Sequence, residues 1–130
     1  MSLQVEVVSP ERVLYEGEAD MVVARTTEGE LAFLTGHAPL LGALEIGKLR
    51  VVRTEGGEEV AAVHGGFVEV RDNRVIVLSD VAELASQIDA ERARAARERA
   101  EERLRHEHDA EVEAALARAT LRLEVAELSP

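Results

Sequence analysis

The sequence predicts an α+β protein: an antiparallel β-sandwich or flattened barrel, followed by an antiparallel, coiled-coil-like helical hairpin. Three observations carry this. Short apolar runs, punctuated by glycine-bearing turns, fill the chain up to about Leu84. From Ser86 onward Ala, Glu and Arg dominate, all good helix formers. Apolar residues in that second part recur at helical spacing. We therefore divide the chain into a β-domain, 1–84, and a helical arm, 85–130.

In order, Leu3, Val5 and Val7 alternate with Gln4 and Glu6, the period-two pattern of a half-buried strand. Met21–Ala24 and Leu31–Leu34 are further short apolar runs. Lys48–Arg53 and Val60–Val63 flank Glu55-Gly56-Gly57-Glu58, where glycines supply the positive φ of a hairpin turn. Phe67, Val68 and Val70 lead into the turn signal Asp72-Asn73, and Val75–Leu78 follows as a strand. Ser86, with Asp89 three positions on, resembles a capping box at the start of the first helix. Its stripe is Ala93, Ala96, Ala100 and Leu104; Asp109 then caps a second helix striped by Val112, Leu116, Ala119 and Leu123. A seam lined on one side mostly by methyl groups holds a folded arm by only a few kcal/mol, at ~25 cal/mol per Å² of apolar surface.

Composition narrows function. The formal net charge of −11, from 15 Lys plus Arg against 26 Asp plus Glu, disfavours nucleic acid and anionic lipid surfaces. One Tyr, two Phe and no Trp leave little for stacking bases. The absence of cysteine excludes disulfides and thiol catalysis. The longest uncharged run, Leu31–Leu44, is broken by Gly36, His37 and Pro39, so direct bilayer insertion is not expected. Met1–Val8 carries no secretory pattern, and a cytosolic location is expected unless a partner holds the chain at a membrane.

No catalytic constellation stands out. His37 has no nucleophile or acid at a recognisable spacing, and Pro39 biases Ala38 towards an extended loop. Gly65-Gly66 lacks the P-loop pattern and precedes a strand, so it reads as a turn or bulge. His106, His108 and Asp109 crowd one turn but lack further ligands; we expect helix capping there and no metal. The first helix interleaves Arg92, Arg94, Arg97, Arg99, Arg103 and Arg105 with Glu98, Glu101 and Glu102, the pattern of a solvated face.

Three segments, Glu28-Gly29-Glu30-Leu31 with Gly36–Leu41, Gly65–Val70 leading to Val77-Leu78-Ser79-Asp80, and Ala82-Glu83 with Ile88–Ala93, together resemble the epsilon subunits of F-type ATP synthases. Thr35 stands where family members often carry proline, a departure bearing on turn rigidity. The resemblance implies a non-catalytic rotor subunit at the cytoplasmic face of the bacterial plasma membrane. Its β-domain would dock on the gamma subunit and the c-subunit ring, with Glu30 and His37 at the c ring. Its arm would extend towards the alpha/beta catalytic hexamer and inhibit ATP hydrolysis, Arg94, Arg97, Arg103 and Arg105 meeting acidic loops there. Ile88-Asp89-Ala90-Glu91-Arg92-Ala93 is similar to the motif of nucleotide-binding members. That implies ATP as a regulatory ligand, no cofactor being required: Glu83 and Asp89 accept from base or ribose, Ile88 and Ala93 give apolar contact, and Arg92, Arg99 and Arg122 neutralise phosphate. Ala126 replaces an arginine found in some binders, which weakens the phosphate site. Two other readings stand beside this one: a stand-alone ATP-sensing module, and a small β-sandwich enzyme, which would need a cluster of acid, base or metal ligands.

Overall fold

A computed structural model describes residues 2–127. The strands are β1 (Leu3–Val8), β2 (Val13–Thr26), β3 (Gly29–Leu34), β4 (Leu40–Arg53), β5 (Glu58–Arg71), β6 (Arg74–Leu78) and β7 (Ala82–Leu84). A 3₁₀ turn at Ala85–Gln87 leads to helices α1 (Ala90–Leu104) and α2 (Ala110–Glu127).

The sheet runs β1-β6-β5-β4-β2-β3, and β1 also pairs with β2, so the sheet closes on itself as a flattened barrel. Closure removes most of the exposed strand edge that invites aggregation. One pairing departs from the expected antiparallel pattern: β1 and β6 run parallel, Val5 opposite Val75 and Val7 opposite Val77. The predicted alternation holds in β1, where Leu3, Val5 and Val7 are almost wholly buried. They meet Val22, Phe33, Leu49, Val51, Val68, Val70, Val75 and Val77 in the barrel interior, a core of β-branched side chains suited to pleated faces.

Two hairpins follow their turn chemistry. Asp72 and Asn73 both adopt positive φ (50° and 59°), as a two-residue type I′ connection requires. Gly56 (φ 108°) and Gly57 (φ 78°) turn β4 into β5.

Gly65-Gly66 is neither a turn nor a shift of register. β5 continues through it, with Leu44 opposite Gly66 and Ile46 opposite His64. β7 pairs with Ala61–Val63 and β6 with Phe67–Arg71 along the same flank of β5, so the two runs separated in the sequence reading form one strand. The glycines face the crossing from β6 to β7. Ser79 Oγ donates to Gly65 O at 2.7 Å, and a Cβ on Gly66 would meet Leu78 O at 2.1 Å. The pair permits a close backbone approach.

The first helix also starts later than the Ser86 capping box implies. Asp89 is its N-cap, accepting from Arg92 N–H at 3.1 Å. Ser86 instead lies inside the 3₁₀ turn, which Gln87 Oε1 closes by accepting from Leu84 N–H at 3.0 Å. Asp109 caps the second helix as expected, accepting from Glu111 N–H at 2.8 Å. In the α1–α2 seam Ala93, Ala100, Val112, Ala119 and Leu123 are buried.

Candidate site at the foot of the arm

α2 has two apolar faces. With 100° per residue, Val112, Leu116, Ala119 and Leu123 point one way, and Leu121 and Val125 point roughly opposite. The second face docks on the sandwich. Leu121 and Val125 form a small core with Val60, Ala62 and Ala85, against which Ile46 and Ile88 pack. Among the described residues, none of the arm belongs to the barrel's own core cluster, so the arm is attached through a separate contact.

Beside this contact lies a charged cluster. Arg122 Nε donates to Glu83 Oε1 at 2.6 Å, joining α2 to β7. His64 of β5 stands behind them, its Nε2 3.4 Å from the same oxygen. Only 3% of the His64 side chain is exposed, and among the described residues neither ring nitrogen has a hydrogen-bond partner. Burial and the positive charge of Arg122 push its pKa below the ordinary histidine value, outweighing Glu83; Arg118 adds to the depression. Glu83 accordingly faces both a cation and an uncharged ring.

Of the residues implicated in nucleotide binding, the structure brings Glu83, Arg122 and Ile88 to this junction. Asp89 is exposed and already accepts the Arg92 backbone N–H. Arg92 and Arg99 are exposed on α1, while Ala93 is buried. Of the arginines implicated at the catalytic hexamer, Arg94, Arg97 and Arg103 lie along α1 and Arg105 is its C-cap. Arg97 approaches Glu101 at 3.5 Å, Arg103 approaches Glu107 at 3.3 Å, and Arg105 approaches Glu102 at 3.0 Å. Arg94 is exposed. These one-turn pairs are mostly solvated, and each contributes ~0.2–0.5 kcal/mol to the helix.

Glu30 lies in the outermost strand, β3, and His37 in the turn beyond that strand's far end. Roughly 13 Å of strand separates Glu30 from Leu34, to which the His37 turn hydrogen-bonds back. Glu30 borders an open groove of about 450 Å³ between the sandwich, with Arg25 and Lys48, and α2, with Thr120 and Glu124. The His37 ring sits edge-on to Phe33, centroids 5.2 Å apart, and Asn73 Oδ1 fixes its loop by accepting from Gly36 N–H at 2.7 Å.

The sandwich also presents apolar side chains to solvent. Leu41 is 71% exposed, Phe67 55%, Val13 52% and Leu78 47%. Cross-strand pairing makes a row of most of them: Ala43 opposite Phe67, Phe67 opposite Leu78, Leu78 opposite Val8, Val8 opposite Val13. Such a stripe on an outer face is a candidate surface for a protein contact.

Sequence reading missed His64, Arg118, Leu121 and Val125. The i,i+4 pair Leu121/Val125 was the available signal for a second helix face; nothing local marks His64 as buried. Among the described residues, no group of three or more potential ligands could hold a metal ion, and no helix is long and apolar enough to cross a membrane.

A closed β-barrel with an apolar outer stripe and a docked helical hairpin defines a protein built for attachment. Residues 2–85 match the family model for the ATP synthase delta/epsilon chain β-sandwich domain, and residues 86–127 match that for its long α-helix domain. The chain belongs to the delta/epsilon family of ATP synthase subunits. It is 49% identical to the ATP synthase epsilon chain of Shouchella clausii, over 96% of this chain and 95% of the relative. It is 47% identical to that of Streptomyces griseus, over 93% and 92%. A chain of the Euglena gracilis mitochondrial ATP synthase structure has the same fold, with TM-score 0.73 and 24% identity over 98% of this chain and 78% of the other.

Proposed function

We propose that this chain is a non-catalytic subunit of the rotor's central stalk in a proton-translocating ATP synthase, a coupling piece that carries its own brake. The observation that carries the reading is the independent docking of α2: its outer face rests on a small core separate from the barrel interior. An element attached in this way exchanges partners without unfolding the body that holds it.

The β-domain is the fixed part. Its row of Phe67, Leu78 and Val13 offers the apolar anchor area that gamma would bury, and Glu30 on β3 with His37 in the turn after it would meet the c ring. The arm is the movable part. Extended, α1 would offer Arg94, Arg97, Arg103 and Arg105 to acidic loops of the alpha/beta hexamer, charge setting register and encounter rate. In this reading the complex sits peripherally at the cytoplasmic face of the bacterial membrane. The reading is tested by Phe67→Glu/Leu78→Glu, which alters exposed side chains and leaves the barrel core intact. Co-purification with gamma should weaken by tenfold or more, from roughly 1.5–3 kcal/mol lost per apolar anchor. Undiminished gamma binding would remove the docking face from the account.

ATP is the proposed regulatory ligand of the folded hairpin, held by Glu83, Ile88, Asp89, Arg92, Ala93, Arg99 and Arg122. The Glu83–Arg122 contact supports an acidic and a basic group poised at one junction. It also means that Arg122 must trade or share its carboxylate to meet phosphate. Bound ATP would favour the folded arm by its affinity difference between the two arm positions and no more. Calorimetric titration of the isolated chain should show heat that Arg92→Ala and Arg122→Ala reduce; no heat at millimolar ATP would dismiss the sensor.

A further inference from the structure

We propose that His64 is a proton-operated latch for the arm: neutral His64 permits docking of α2, and its protonation releases the helix. This rests on the movable-arm reading and adds to it a ligand, the proton, and a residue to receive it.

The geometry supplies the coupling. His64 lies in β5 opposite Ile46 of β4, its Nε2 3.4 Å from the Glu83 Oε1 of β7 that Arg122 of α2 also holds, and it feels the positive charges of Arg122 and Arg118. Its ring is buried and neither nitrogen hydrogen-bonds among the described residues, so a proton added there would rely on the 3.4 Å approach of Nε2 to Glu83 Oε1. Among the described residues, the carboxylate within reach is that of Glu83, which already accepts from Arg122. A charged imidazole in the docked state would therefore share a single anion with a guanidinium, out of water, with a second guanidinium in the field.

Release of α2 reverses each term. Arg122 and Arg118 depart with the helix, water reaches the ring, and Glu83 becomes free to pair with imidazolium. The docked state thus disfavours the proton and the released state accepts it at close to the ordinary histidine value, ~6.5. Docking holds at full strength above that value and weakens as pH falls below it. The docked-to-released ratio drops by up to about tenfold per pH unit until the docked form also takes up the proton. In the proposed rotor, acidification on the arm's side of the membrane would free the brake.

The test uses the full-length chain, whose lack of cysteine allows unique dye labels at Glu16→Cys in β2 and Glu113→Cys in α2, both exposed sites. Energy transfer between the dyes is followed from pH 8 to pH 5.5, with Leu121→Glu as the variant that undocks the arm at every pH. The unmodified latch should show a docked signal at pH 8 that falls below about pH 6.5. His64→Gln and His64→Ser should give pH-independent signals. If the unmodified latch is flat while Leu121→Glu reports release, the arm moves but His64 does not control it. Glutamine and serine variants that follow the same pH curve would overturn the latch equally. If Leu121→Glu also remains docked, the latch and the movable arm both fall.

Discussion

Gly66 has no space for a side chain. Its φ of 116° is a glycine conformation, and any Cβ would strike the Leu78 carbonyl backbone. Gly66→Ala should destabilise the sandwich by about 3 kcal/mol or more, combining backbone strain with a clash that no rotamer relieves. Urea unfolding measures it; a loss below about 1 kcal/mol would show that the β6–β7 crossing yields. Asp89→Ala removes the first helix's cap and should cost about 1 kcal/mol, read as fraying of α1 in hydrogen exchange while the barrel stays protected. Both positions show the limits of local reading. A glycine pair and a polar residue before a helix were legible as special, but their roles depended on a distant strand and on where the helix began. His64 was illegible for the same reason: the arginines whose charge acts on it come from α2, more than fifty residues later.

At the scale of elements, α2 is the piece that decides the arm's behaviour. Leu121 and Val125 dock it, and Leu121→Ala should weaken docking by about 2–3 kcal/mol, the lower part of the usual range because the contact lies near the surface. Amide exchange in α2 should accelerate roughly thirtyfold or more, since 1.4 kcal/mol is a factor of ten, while β1 and β6 are unchanged. Equal acceleration in the barrel strands would mean that arm and body unfold together. The seam with α1 was visible in the sequence because Val112, Ala119 and Leu123 repeat at helical spacing. The docking face was not drawn from it, because one stripe already satisfied the pattern of an amphipathic helix. Strand identities were legible from alternation and turn residues. The closure of the sheet through a parallel β1–β6 pair was not, since pairing between distant strands leaves no local mark.

Across the whole molecule, a barrel with its own interior carries an arm through a second, smaller core. The chain's net charge of −11 adds a further contrast, because α1 concentrates arginine in an otherwise acidic protein. Engagement of that helix with an acidic partner should weaken as salt rises, whereas apolar docking of α2 should not. The most direct measurement compares ATP hydrolysis by the reconstituted complex containing the full chain with hydrolysis by one whose chain stops after Gln87. The shortened chain should still assemble and hydrolysis should rise severalfold, because the body remains and the brake is gone. Unchanged hydrolysis in a fully assembled complex would contradict it.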